Sequence, residues 1–249
     1  IDSGEFLDPH DGMVDLKTKT LRHIDDSTFV EDPLRIYRGI QFCARFGLVM
    51  ADETKELCRG MVEQGALEEL SIERVYEEFK KLLSKSDKPS MGFYLMRELG
   101  VLRYFPELED LIGVKQDPIW HPEGDVWIHT MMVVDEAAKL RVGDDRDDLI
   151  LMFGSLCHDF GKPSTTEFID GRIRSRAHEK AGVLPTKSFL ARLTNESSLI
   201  DEITPIVANH LAPSQLFKDN SSKAAIRRLS TRVNISKLIP VAKADFFGR

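Results

Sequence analysis

Apolar positions at helical spacing dominate the pattern along the chain. After Asp32, "PLRIYRGIQFCARF" reads as a helix. Asp32 is a good N-cap, Pro33 suits the first helical position, and Gly47 is a natural stop. Ser71 caps a second helix running to about Ser84. Its stripe of Ile72, Val75, Phe79, Leu82 and Leu83 recurs every three or four residues. Residues 89–99 form a third, stopped by Gly100. Beyond Gly113, with Pro118 and Pro122 in the connection, helices are expected at "VWIHTMMVVDEAAKL", "DDLILMFGSLCHDF", "HEKAGVLPTKSFLARL", "SLIDEITPIVANHL" and "SKLIPVAKADFF". The helical rhythm breaks twice. "GMVDLKTKTLRHI" alternates and reads as a strand pair. "TTEFIDGRIRSRAH" reads as two short strands around Asp170-Gly171, a good hairpin turn.

The expected fold class is therefore mainly α, with a short β-hairpin insertion. A chain of 249 residues holds one large domain or two smaller ones, and the composition shift near Gly113 marks a boundary. No apolar run approaches the roughly 20 residues that cross a bilayer, and the acidic, polar opening "IDSGEFLDPHDG" is no signal peptide. Three cysteines without framework spacing, Cys43, Cys58 and Cys157, imply a reduced, cytoplasmic protein.

The net charge of −7 argues against a general nucleic-acid glue. The charge is unevenly placed, however. From Arg97 to Asp170 there are 7 Lys/Arg against 16 Asp/Glu; from His178 to Arg249 there are 11 against 6. An acidic stretch beside a basic one suits a metal site next to a phosphate surface, and equally suits two solvated faces. On the first helix, Arg35, Arg38 and Arg45 fall within about 80° of one another. They form a candidate phosphate-binding face or a solvated edge.

The chemistry concentrates at "LCHDFGK", which ends an apolar helix with His158 and Asp159 side by side. His129, His178, His210 and Asp245 stand where helices end or where a buried face points. No CxxC pair or HExxH appears, which excludes zinc fingers and zincins. Imidazole and carboxylate together suit nickel, manganese, cobalt, iron or zinc. A helix end lets adjacent side chains converge on one ion, where mid-helix they would diverge by about 100°. Lys162 is placed to neutralise a phosphate. His178 and His210 extend the site to a second metal, or serve as acid and substrate contacts. His10, His23 and His121 read as ordinary packed or solvated residues.

"HPEGDVWIHTMMVVDEAA", "LCHDFGKP", "GRIRSRAHEKAG", "ANHLA" and "KADFFGR" together resemble the HD superfamily of metal-dependent phosphohydrolases. The resemblance covers roughly residues 118–249 and implies an all-helical bundle. It also implies metal ligands at His129, His158, Asp159 and Asp245, and hydrolysis of phosphomonoesters or phosphodiesters, 2′,3′-cyclic nucleotides included. Upstream, "LDPHDGMVDLKTKTLRHI", "EDPLRIYRGIQFCARFGL" and "SIERVYEEFKKLL" resemble three consecutive motifs of bacterial CCA-adding enzymes and their poly(A) polymerase relatives. That resemblance implies a strand-bearing remnant of a nucleotidyltransferase head over 1–26, a helical neck and body binding nucleotide or RNA over 27–112, and the HD domain over 113–249. Glu31, Asp32 and Arg35 would pair with an incoming nucleotide, with Arg38 beside them. The partners implied are tRNA or RNA 3′ ends and nucleotides, with no membrane; a homo-oligomer is left open. The head's Gly-Gly-x-x-Arg-Asp and Arg-Arg-Asp motifs and its paired carboxylates, which would hold Mg²⁺, are absent from these residues. Residues 1–249 are thus expected not to add nucleotides by themselves. They are expected either to hydrolyse phosphoesters or to position tRNA with the HD fold as a scaffold.

Overall fold

A computed structural model of the chain describes residues 7–249. The secondary structure is helical apart from two small sheets. The first of these corrects the expectation of a strand pair in "GMVDLKTKTLRHI". Gly12–Thr18 is a helix, and only Thr20–Leu21 is extended, pairing in parallel with Val49–Met50. The reason lies just upstream: the Asp8 carboxylate accepts from the backbone N–H of Gly12 (2.7 Å) and Met13 (2.8 Å) and so starts the helix. The opening residues 1–6 lie outside the described residues.

The neck helix Leu34–Phe46 begins and ends as its sequence dictates. Asp32 accepts from Leu34 N through its side chain and from Arg35 N through its carbonyl, and Gly47 closes the helix at φ 63°. A helix over Asp52–Glu63, absent from the sequence reading, follows. Helix Ile72–Lys85 buries Val75, Phe79, Leu82 and Leu83, whereas Ile72 at the end of the stripe stays 36% exposed. Ser90–Glu98 completes this part.

The C-terminal part is built round helix Asp145–Cys157, buried from Asp148 onward. Such all-round burial is why its apolar residues show no one-sided stripe. It packs against Val126–Lys139, Ser197–Val207, Ile235–Phe247 and the neck helix Ile72–Lys85. Between its end and His178 the chain makes the expected hairpin, Thr166–Ile169 against Arg172–Ser175. Asp170 and Gly171 both take positive φ, the geometry of a tight two-residue turn. Helices Ala212–Lys218 and Lys223–Ser230 were not legible in the sequence.

The chain turns at Gly113, yet no gap in packing accompanies it. Phe79 of the neck stacks edge-on against Phe105 and Phe189, Phe189 meets Phe153 and Phe160, and Tyr76 lies flat on Phe153. Two polar staples reinforce this shared core. Asp135 accepts from the backbone N and Oγ of Ser90, capping a neck helix from across the boundary. Arg141 donates to the carbonyls of Leu83 (3.0 Å) and Ser86 (2.9 Å) at the end of helix Ile72–Lys85. Replacing Arg141 by Ala strands both helix-end carbonyls, and charged hydrogen bonds of this kind contribute about 2 kcal/mol. Urea unfolding should show that loss as a lower midpoint, with neck and C-terminal part still unfolding together. An unchanged midpoint would refute the staple. Among the described residues, no helix is long and apolar enough to cross a membrane.

Candidate metal centre

Five elements each deliver one or two polar side chains to a single buried point. His129 comes from the first turn of Val126–Lys139, whose start is capped by Asp125. His158 and Asp159 follow the last turn of Asp145–Cys157. His178 opens the short helix after the hairpin, His210 follows Ser197–Val207, and Asp245 lies near the end of Ile235–Phe247. All four histidines and Asp159 are buried.

Each ring is oriented from behind. Nδ1 of His158, His178 and His210 lies 2.7–2.8 Å from the carbonyl of Ser155, Ser175 and Val207 respectively. His129 Nδ1 lies 2.7 Å from Glu123 Oε1. An acceptor behind Nδ1 keeps the hydrogen there and turns the Nε2 lone pair toward the centre. The Nε2 atoms then face one another: 3.3 Å between His129 and His158, and 3.3 Å between His178 and His210. Two lone pairs so close repel unless a proton or a metal cation lies between them.

The carboxylates supply the rest. Asp159 Oδ2 is 3.2 Å from His158 Nε2 and 3.7 Å from His129 Nε2, while Oδ1 is 3.2 Å from His178 Nε2 and 4.0 Å from His210 Nε2. Asp245 Oδ1 sits 3.2 Å from His129 Nε2. One buried carboxylate thus faces a histidine pair with each oxygen; Oδ2 also meets the Lys162 ammonium, whereas Oδ1 meets no donor in hydrogen-bond geometry. A buried carboxylate oxygen without a hydrogen-bond donor, beside converging imidazole nitrogens, fits divalent metal binding. Three sets among the described residues are tight enough to hold an ion: His129–His158–Asp159, Asp159–His178–His210 and, behind His129, His121–Glu123–His129.

The electrostatics agree. Burial would raise Asp159, but the neighbouring His158 and Lys162 charges hold its carboxyl well below the usual range. Burial would likewise raise Asp245, yet His129 and His158 hold it low. Burial alone would depress His129; Asp245, Glu123 and Asp159 outweigh it and raise the ring's pKa, so a proton and a metal ion would compete for this ring. His178 is raised in the same way by Asp159. His210 meets less compensation, and burial pushes it down to about 4.

The structure brings together the six residues that the sequence placed here and adds three it did not. Lys162 ion-pairs with Asp159 at 2.6 Å and donates to Gln116 Oε1 at 2.6 Å. Gln116 is one addition. Glu123 is another, lying between His129 Nδ1 and His121 Nδ1 (2.9 Å). His121, read as an ordinary residue, is the third. Its ring centroid stands 4.8 Å from that of His129, and burial pushes its pKa down to about 4. The signal for this pair was the spacing in "HPEG", two side chains apart ahead of a helix that carries a ligand.

Glu31, Asp32, Arg35 and Arg38 gather elsewhere, at the start of helix Leu34–Phe46. Each engaged group has a partner from the chain itself. Arg74 Nη2 donates to both oxygens of Asp32 (2.8 and 2.9 Å), Arg35 donates to the Thr28 carbonyl, and Arg38 is 3.7 Å from Glu78. Arg74 was not singled out in the sequence, although it lies inside "SIERVYEEF". Cys43, Cys58 and Cys157 are buried and unpaired.

Residues 47–112 match the family described as the probable RNA and SrmB-binding site of polymerase A, and residues 126–245 match the HD domain. The Multifunctional CCA protein of Laribacter hongkongensis is 35% identical over 258 residues, which cover 100% of this chain and 60% of that protein. The Multifunctional CCA protein of Psychromonas ingrahamii is 44% identical over 194 residues, 76% of this chain and 45% of that protein. The chain therefore spans between 45% and 60% of the length of these curated relatives. Among solved structures, an apo CCA-adding enzyme aligns with a TM-score of 0.59 at 20% identity, over 97% of this chain and 49% of that one. The Thermotoga maritima CCA-adding enzyme complexed with tRNA aligns at 0.58 and 19%, over 97% and 50%. At such identities the likeness is one of fold, whereas the sequence matches carry the kinship. The chain belongs to the CCA-adding tRNA nucleotidyltransferase and poly(A) polymerase family, and matches its probable RNA and SrmB-binding region and an HD domain.

Proposed function

We propose that residues 113–249 form a metal-dependent phosphohydrolase acting on nucleoside 2′,3′-cyclic phosphates and phosphomonoesters, joined to a neck and body that bind RNA or nucleotide. The observation that carries the reading is the placement of Asp159 between two histidine pairs at the floor of an open cleft. His129, His158, Asp159 and Asp245 would hold one ion; Asp159, His178 and His210 would hold a second. Divalent ions there supply a Lewis acid and a bound water of lowered pKa.

The chain's own groups do the remainder. The cleft encloses about 300 Å³, room for a small phosphate ester. Lys162 stands at its floor, tethered by Gln116, and its ammonium is aimed to neutralise a phosphate oxygen. Lys218 and Arg249 line the same cleft and add positive charge where the ester would enter. Burial of the floor keeps bulk water from competing with these contacts.

For the neck, the support is the family match over 47–112 and the cluster of Asp32, Arg35, Arg38 and Arg74. Here the partner is the tRNA 3′ end or a nucleotide, and phosphate contacts would make binding weaken steeply with salt. Hydrolysis of 2′,3′-cyclic AMP, with and without added Ni²⁺, Mn²⁺ or Co²⁺, tests the hydrolytic reading. Turnover should require the metal and fall at least about 100-fold in His158→Ala, since even outer-shell changes cost 10–100-fold. No turnover with any of the three metals in folded protein would refute it and leave an RNA-positioning role in its place.

A further inference from the structure

The metal cleft has one wall that neither ligand binding nor phosphate neutralisation uses. Trp120 lines it and is 53% exposed, whereas Trp127, seven residues on, is fully buried. A large exposed indole at the mouth of a polar cleft is out of place in a core, and it is a flat surface on which a flat ligand can stack.

Its position is fixed. Asp117 makes the turn that carries it: the Asp117 carbonyl accepts from the backbone N–H of Trp120 and His121, and its carboxylate accepts from Ile119 N. The hairpin clamps this turn, because Arg172 donates to Asp117 Oδ2 at 2.8 Å through Nε and contacts it again through Nη2. The next residue, His121, leads through Glu123 to the back of His129. The turn that carries the indole is thereby tied through its backbone to the metal ligands. A cation also stands over it: Lys218 Nζ lies 5.4 Å from the ring centroid.

We propose that Trp120 is a nucleobase platform, so that the centre takes nucleotides, free or as an RNA 3′ end, with the phosphate on the ligand floor and the base stacked on the indole. The proposal rests on the phosphohydrolase reading for its phosphate site and nucleotide substrate, and adds the residue that selects for the base. Stacking on an aromatic side chain tolerates every base, because each has a π-face. Lys218 then holds the ring's cation–π contact or moves to the ligand phosphate. Arg172 is a positioning residue, acting only through Asp117.

Calorimetric titration of the Mn²⁺-supplemented protein compares adenosine 2′-monophosphate, a short RNA bearing a 3′-phosphate, and ribose 5-phosphate, which offers a phosphate and no base. The two base-bearing ligands should bind about tenfold or more tightly than ribose 5-phosphate. Trp120→Ala should erase that preference and Trp120→Phe should keep most of it. The ratio between free nucleotide and RNA identifies the source. Equal affinity with and without the base, a preference that survives Trp120→Ala, or no binding of either base-bearing ligand would each overturn the proposal. Because the readout is binding, an absence of hydrolysis alone would count against the phosphohydrolase reading and leave the platform standing.

Discussion

Asp159→Asn should remove both metal half-sites at once. Among the described residues, no other carboxylate lies within 4.0 Å of both histidine pairs: one Asp159 oxygen lies by His129 and His158, the other by His178 and His210. An amide in its place keeps the volume but loses the charge, and it presents an N–H to one imidazole pair. Loss of metal affinity should exceed the 10–100-fold that outer-shell changes cause, and any phosphohydrolase activity should vanish with it. Metal content by mass spectrometry of the native protein reads the first effect directly. Asp159→Ala adds a second: Lys162, buried, keeps only Gln116 as partner. Breaking a buried pair by removing one member costs about 3–5 kcal/mol, so the Ala variant should melt well below the Asn variant. Wild-type metal content in Asp159→Asn would sink the shared-carboxylate assignment.

The parts of this site that the sequence made legible share a property. His158 and Asp159 end an apolar helix, and a polar pair at that position has no ordinary packing role. His129 and Asp245 stood out as candidates by their places in their helices, but 116 residues separate them and spacing says nothing of convergence, so their assignment as ligands rested on the resemblance. His121, Glu123 and Gln116 lie in an irregular segment where no period sorts inward from outward residues. Their roles depend on backbone turns such as that built by Asp117. The same limit explains the fold-level miss. "GMVDLKT" alternates like a strand, but its conformation is decided by the Asp8 side chain capping from four residues upstream. The neck helices Leu34–Phe46 and Ile72–Lys85 were legible because one face is buried and the other solvated, whereas the central Asp145–Cys157 helix was visible by its unbroken apolarity. Ala212–Lys218 and Lys223–Ser230 bury little, only Leu229 of the two being fully enclosed, and so left almost no pattern to read.

Among the described glycines, Gly161→Ala should be the most damaging, and its reason differs from the usual one for glycine. The residue sits at φ −86° and ψ −14°, which any amino acid adopts. What requires glycine is proximity. A Cβ there would lie 2.0 Å from the His178 carbonyl oxygen and 2.5 Å from Gly182 N, both backbone atoms already joined by a hydrogen bond of 2.8 Å. Neither can swing aside as a side chain would. The turn after Asp159 must move away from the helix that carries His178, or that helix must unwind. Overpacking a core costs about 1–3 kcal/mol where side chains absorb it, and more where backbone must shift. Gly182→Ala is the graded comparison: its nearest contacts are 3.1, 3.2 and 3.4 Å, so small movements accommodate it. Melting temperature should therefore fall much further for Gly161→Ala than for Gly182→Ala. Metal titration should show the His178–His210 half-site lost in the former, because its distance to Asp159 is set by this contact. Equal melting temperatures for the two variants would show that the close approach between the metal turn and the His178 helix does not hold the centre together.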